Sequence, residues 1–248
     1  MRDRKSGGGR RENEALFEAV QKIENSRDSG IRSARGRCPV ARNSCAGAGT
    51  DWADLSGSAT ATLTNGPTYS SNNGGYIDFD GSNDYVEVTG INVSALSAFT
   101  LEAWVYPASS SADETVMGKW PGSLSNSSFL LYWDIGDSAL GFDWIVTNTS
   151  STFSRIGTST ANGTVNAWNH VAATFSGSQI ELYVNGSSVG TASFSGTLRN
   201  ISGIRLGADE SSGLRPLAGN LAVAKVYDKV LYSEEITQNY NALKNRFI

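Results

Sequence analysis

The chain predicts an all-β fold, two antiparallel sheets packed face to face, and three observations carry that prediction. Residues 168–194, WNHVAATFSGSQIELYVNGSSVGTASF, read as a three-strand meander. The rest of the chain holds further short alternating runs separated by Gly, Asn, Asp and Ser. Charge is sparse at 18%, while the 39% of hydrophobic residues is enough for a core, the composition of strands joined by tight polar turns.

Within the meander, Ile180, Leu182 and Val184 alternate with Gln179, Glu181 and Tyr183, the period-2 pattern of a strand with one dry and one wet face. Asn185-Gly186 follows at once and suits a two-residue type I′ turn. Upstream, Val171, Ala173 and Phe175 oppose Trp168, His170 and Thr174 in parity, and Ser176-Gly177-Ser178 makes the first turn.

Taken in order, Trp52 and Leu55 are expected to plug one end of the sandwich. Strands are predicted at Ala61–Leu63, Tyr76–Phe79, Tyr85–Val88, and Phe99–Tyr106, where Pro107 ends the ladder. Others follow at Thr115–Trp120, Ser128–Trp133, Ala139–Val146, Phe153–Ile156, Ile204–Leu206 and Leu221–Tyr227. Ser233 reads as the N-cap of a short C-terminal helix, with Glu234 and Glu235 in its first turn and Lys244 and Arg246 in its last. Roughly a dozen short strands in two sheets make a jelly roll.

Residues 1–37 read as a separate basic arm ahead of a sandwich domain over 38–248. The arm holds ten Lys/Arg against six Asp/Glu, a net of +4, and the remainder ten against eighteen, a net of −8. Leu16, Val20 and Ile23 share a stripe that predicts a helix over 12–25. Two readings of it stand: an anchoring helix that docks on a partner, or a partly solvated, fraying one. An acidic body argues against nucleic acid as a ligand of the sandwich, because phosphate neutralisation dominates such binding. No run approaches the roughly 18 apolar residues of a membrane span, so no membrane partner is expected. Cys38 and Cys45 are too few for a disulfide scaffold or a four-ligand zinc site, and their pairing stays open.

GYIDFDGSNDYVEV (75–88), FTLEAWVYP (99–107), WNHVAATFSGSQIELYVNGSSVG (168–190), IRLGAD (204–209) and GNLAVAKVYDKVLYSEEI (219–236) resemble, in this order, the laminin-G-like, concanavalin A-like lectin/glucanase domains. GTDWADLSG, LTNGPTYS and QNYNALKNRF look more narrowly like variants in structural proteins of tailed bacteriophages. The resemblance implies a non-catalytic protein on the phage particle surface that binds host-surface glycan or other virion proteins, the latter through the arm. A bacterial secreted or cell-surface adhesion module is the alternative, and a polysaccharide-degrading enzyme of the same fold a more distant one.

Catalytic residues are not expected. Enzymes of this fold carry carboxylates at strand spacing, and no E-x-D-x-E or E-x-D-x-x-E run occurs here. Glu102 and Glu181 stand alone on their strands, Asp134 and Asp137 lie in a turn, and His170, the only histidine, reads as a packing residue. Trp120, with Asp134 and Asp209 on other loops, is the candidate ligand site at the sandwich rim. Tyr132 and Trp133, being consecutive on a strand, cannot both face one ligand. No cofactor is required. Asp78, Asp80 and Asp84 offer the hard oxygens of a structural Ca2+ site, or an Asx turn in which Asp80 caps its own loop. Ala222 and Val223 stand where many relatives carry an acidic pair that helps hold calcium, which favours the turn.

Overall fold

The computed structural model describes residues 17–20, 51–52, 59–109, 111–136, 140–157, 162–211 and 215–248. In chain order the first strands are β1 (Phe17–Val20), β2 (Asp51–Trp52), β3 (Thr60–Thr64), β4 (Thr68–Ser70), β5 (Tyr76–Asp80) and β6 (Tyr85–Thr89). Then come β7 (Phe99–Pro107), β8 (Glu114–Lys119), β9 (Phe129–Asp134), β10 (Gly141–Thr147) and β11 (Phe153–Ile156). The chain continues with β12 (Asn169–Phe175), β13 (Gln179–Val184), β14 (Ser187–Ser193), β15 (Ile204–Leu206), β16 (Ala218–Tyr227) and helix α1 (Ser233–Phe247).

Two antiparallel sheets result. The first has the order β14-β13-β12-β7-β16-β5-β4, with β1 also paired to β16, and the second β11-β10-β9-β8-β15-β6-β3-β2. The predicted hairpin holds: Asn185 and Gly186 both take positive φ, 51° and 78°, and return β14 along β13. Phe99, Leu101, Val171, Phe175 and Ile180 of the first sheet meet Phe129, Leu131, Trp133, Phe142 and Trp144 of the second in one core. Phe99 packs 5.4 Å from Phe129 and edge-on to Trp144, whose indole N–H donates to the Thr174 carbonyl at 3.0 Å across the gap.

The wet face expected on the first sheet is dry through its centre, because α1 lies on it. Ala172, Tyr183 and Tyr227 cluster with Leu231 and Ile236, while Trp104, Trp168, Ala222 and Val223 receive Tyr240, Leu243 and Phe247. Phe247 sits 4.5 Å from Trp104 and 4.8 Å from Trp168. Burying such rings contributes about 1.5–3 kcal/mol each. The Arg246 guanidinium ties the helix end to the Asn73 and Gly75 carbonyls.

A bulge in β16 explains the apolar pair in that strand. Register slips between Leu221 and Val223, so Ala222 and Val223 both face α1, while Leu221 and Ala224 face the core. An acid at either place would lie beneath the helix against Trp104.

Two expectations need correction. Within the predicted 12–25 helix, Phe17–Val20 is a strand that pairs antiparallel with Val223–Val226, because the sheet edge supplies backbone partners that a three-residue stripe cannot outweigh. The rest of that helix, Leu55, Cys38 and Cys45 lie outside the described residues. The cap of α1 is Tyr232, not Ser233: the Glu235 carboxylate accepts the Tyr232 N–H at 2.9 Å, so Ser233 is already helical. Trp52 is 2% exposed and belongs to β2, on the edge of the second sheet.

Candidate functional site

The outer face of the second sheet collects polar side chains in rows set by strand register. Thr115, Tyr132 and Asp143 stand abreast on β8, β9 and β10. Beside them runs a row of Glu87, Arg205, Gly118, Leu130, Ile145 and Arg155. The apolar members, Leu130, Tyr132 and Ile145, pack with Trp120.

Tyr132 is the centre. Its hydroxyl reaches Asp134 Oδ2 at 3.1 Å and Asp143 Oδ2 at 3.3 Å. The Arg155 guanidinium donates to both carboxylates, from Nη2 to Asp134 and from Nε to Asp143. Arg155 and Arg215 stand over the Tyr132 ring at 5.9 and 6.0 Å. Arg215 donates from Nη1 to Asp209 Oδ2 at 2.6 Å, and Asp209 Oδ1 takes the Ser211 N–H and hydroxyl. Arg215 holds φ at +35°, a strained value for a side-chain-bearing residue.

Electrostatics follow from this crowding. Burial, with the Asp134 charge beside it, pushes the Asp143 carboxyl up to about 6 against the opposing pull of Arg155. Burial and the Asp143 charge likewise raise the Tyr132 phenol. Asp143 Oδ1 and Thr115 Oγ1 are buried without a hydrogen-bond partner among the described residues.

The predicted residues Trp120, Asp134 and Asp209 do converge around Tyr132, but they are 6%, 4% and 0% exposed and do not form an open rim. Asp134 and Asp209 are held by arginines. What reaches solvent is the pair of guanidiniums, with side chains 30% and 34% exposed. Sequence reasoning missed Asp143, Arg155 and Arg215. Parity alone places Asp143 opposite Phe142 and Trp144, and Arg155 opposite Ile156, so the signal for two of them was present. Trp133 and Trp144 face the core, and Asp137 lies outside the described residues.

A second polar cluster lies beneath α1. His170 Nε2 donates to Glu102 Oε1 at 3.2 Å, while Asn239 and the Tyr227 hydroxyl donate to Oε2 at 2.7 and 3.3 Å. Burial would raise Glu102, but the His170 hydrogen bond and charge, Lys225 and Asn239 outweigh it and hold the carboxylate below its ordinary value. Glu102 and His170 are both fully buried, and the cluster pins helix to sheet.

Asp78, Asp80 and Asp84 border the β5–β6 turn. Asp80 Oδ1 accepts the Ser82 N–H at 2.8 Å, an Asx turn, and Asp84 Oδ2 accepts the Asp80 N–H at 3.1 Å. Burial and then the Asp80 charge raise Asp78; burial also raises Asp84, against the Asp80 N–H. Two of the three carboxylates thus accept backbone N–H groups, and no cluster of three or more metal-binding side chains occurs among the described residues.

The family model Laminin_G_3, described as the concanavalin A-like lectin/glucanases superfamily, matches residues 80–237, more than half of the chain. This chain belongs to the concanavalin A-like lectin/glucanase superfamily. The concanavalin A-like sandwich is also similar to solved structures. The binding domain of botulinum neurotoxin serotype D superposes with a TM-score of 0.61 at 17% identity, over 76% of this chain and 48% of that one. The binding domain of Paraclostridial Mosquitocidal Protein 1 gives 0.60 at 16%, over 77% and 49%. The chain thus spans about half the length of these domains, and the likeness is one of fold. A comparison with curated proteins finds no match.

Proposed function

We propose that this chain is a non-catalytic binding module on the surface of a virion, whose outer second-sheet face takes a host-surface glycan and whose arm attaches it to other virion proteins. The observation that carries the binding reading is the pair of solvent-reaching guanidiniums, Arg155 and Arg215, held side by side over Tyr132 by Asp134, Asp143 and Asp209. Guanidinium forks that reach solvent suit the carboxylates and hydroxyls of acidic sugars. Support also comes from the solved structures of similar fold, which are described as binding or receptor-binding domains. The virion placement rests on the phage-like segments GTDWADLSG, LTNGPTYS and QNYNALKNRF.

A bacterial polysaccharide array probed with the full chain and with Arg155→Ala/Arg215→Ala tests the site. Binding by the parent that falls at least tenfold in the folded variant supports it. No binding to any glycan leaves assembly as the role, and deletion of residues 1–37 then asks whether incorporation into particles is lost. Antibody labelling of purified particles against host cells separates the virion from a secreted or cell-surface location.

One observation favours an enzyme as second reading. Asp134 and Asp143 share one hydroxyl, and Asp143 is pushed up to about 6, as in two-carboxylate glycosidases. Both, however, are held by the single Arg155 guanidinium. Release of reducing ends from a polysaccharide, lost in Asp143→Asn, would establish that reading in place of the first.

A further inference from the structure

We propose that Asn73 is a site of spontaneous modification: its side-chain amide is lost as ammonia, and the carboxylate left behind pairs with Arg246 at the end of α1. The inference stands apart from the glycan reading. Asn-Gly steps occur at residues 65–66, 73–74, 162–163 and 185–186. In such a step the glycine nitrogen can attack the asparagine Cγ, since a residue without Cβ does not shield that approach. The side chains of three of these asparagines are held. Asn65 Nδ2 donates to the Asn83 carbonyl at 2.8 Å, Asn162 Nδ2 donates to the Phe142 carbonyl at 3.0 Å, and Asn185 Oδ1 accepts the His170 N–H at 3.0 Å. Asn73 is exposed, and its side chain makes no hydrogen bond among the described residues. It sits in the short 3₁₀ turn Asn72–Gly74 with φ 48° and ψ 32°, ahead of Gly74 and Gly75 at φ 76° and 102°.

Arg246 supplies the other requirement, a nitrogen that can lose its proton. Its Nε donates to the Asn73 carbonyl and its Nη2 to the Gly75 carbonyl at 2.6 Å. The Asn73 carbonyl and the Gly74 nitrogen belong to one conjugated peptide group, so a cation on the oxygen acidifies the N–H. Among the described residues, Asn73 is the one asparagine of the four whose carbonyl accepts an arginine. The Gly74 nitrogen, its proton given to water, bonds to Asn73 Cγ. The Cγ–Nδ2 bond then breaks, and Nδ2 leaves as ammonia after taking protons from solvent. The cyclic imide so formed consumes a water. Opening at Cγ gives aspartate. Opening at the former Asn73 carbonyl leaves Gly74 linked through Cγ and frees the carbonyl carbon as a carboxylate, an isoaspartate. No oxidant or reductant is needed. In the isoaspartate, the oxygen that Arg246 Nε already holds becomes part of a charged group, and the contact becomes an ion pair.

The test ages the full-length chain at pH 6 and pH 8. Chymotryptic peptides are then mapped by mass spectrometry and labelled with isoaspartyl methyltransferase, which marks isoaspartate alone. Amide loss should be faster at Asn73 than at each of the other three Asn-Gly steps, faster at pH 8 than at pH 6, and should leave isoaspartate as the larger product. Arg246→Met, with its fold checked by circular dichroism, should slow the loss about tenfold, the effect of roughly one unit in the acidity of the amide. Arg246→Lys, which keeps the charge, should slow it less. Asn73→Gln, whose longer side chain closes the ring far more slowly, should remove the signal from that peptide. Loss at Asn73 that is no faster than at the other three steps overturns the proposal. So does loss that is unchanged or faster in folded Arg246→Met.

Discussion

Glu114 shows how one residue can set the pH response of a sandwich. A register slip between Thr115 and Met117 turns Thr115 outward and leaves Glu114 opposite Trp133, on the inner side of the sheet. It is 1% exposed, and Oε2 has no hydrogen-bond partner among the described residues. Burial pushes the carboxyl up to about 8, eased only by the Ala218 N–H. Because the folded value exceeds the ordinary one of 4.5, its contribution to stability is complete below that value and is lost as pH rises through about 8. Denaturant unfolding of Glu114→Gln at pH 5, 6.5 and 8 should show a flatter pH slope than the parent. The variant should gain on the order of 2–4 kcal/mol at pH 8. Asp143 behaves in the same sense nearer pH 6, restrained by Arg155. Arg155→Met should therefore cost roughly 1–3 kcal/mol, more at pH 8 than at pH 5, where protonation relieves the stranded carboxylate. Unfolding midpoints at the two pH values check it. Gly157 belongs to the same arrangement, since a methyl there would lie 1.7 Å from Asp143 Oδ1.

At the scale of elements, the strands were largely legible, because alternation and turn residues are local signals. β3 through β16 fall within a few residues of the runs picked from parity, except the three-residue β4. What local pattern does not contain is which outer face another element covers. Gln179, Glu181 and Tyr183 share a parity, yet Tyr183 is 4% exposed because α1 reaches it and Gln179 is exposed because α1 does not. Bulges hide for the same reason: nothing in Leu221-Ala222-Val223 or in Thr115-Val116-Met117 marks the slip that reverses parity. The candidate site suffered most, since its residues come from four strands, β8 to β11, and from the segments after β8 and β15. Helix α1 is held by packing, with Ile236 fully buried between Tyr227 and Leu231. Ile236→Ala should cost about 2–4 kcal/mol and lower the thermal midpoint, with the strand signal in circular dichroism retained.

For the whole molecule, the acidic balance of residues 38–248 shows its use in the site: carboxylates outnumber arginines around Tyr132, so each guanidinium is preset by at least one acid before any ligand arrives. The β5–β6 turn is closed by backbone N–H groups on Asp80 and Asp84. Thermal melts in millimolar calcium and in chelator should coincide. A calcium-dependent rise would instead assign Asp78, Asp80 and Asp84 to a metal.

The position of β16 also governs how the molecule is made. It lies between β7 and β5 in the first sheet, yet some 110 residues of chain follow β7 before it is synthesised. Until residues 218–227 leave the ribosome, that sheet exists as two pieces, β7 with β12 to β14 and β5 with β4, each with an open edge. The sandwich must therefore close late, after most of the chain has emerged. Its nascent form should remain sensitive to protease and dependent on chaperones up to that point.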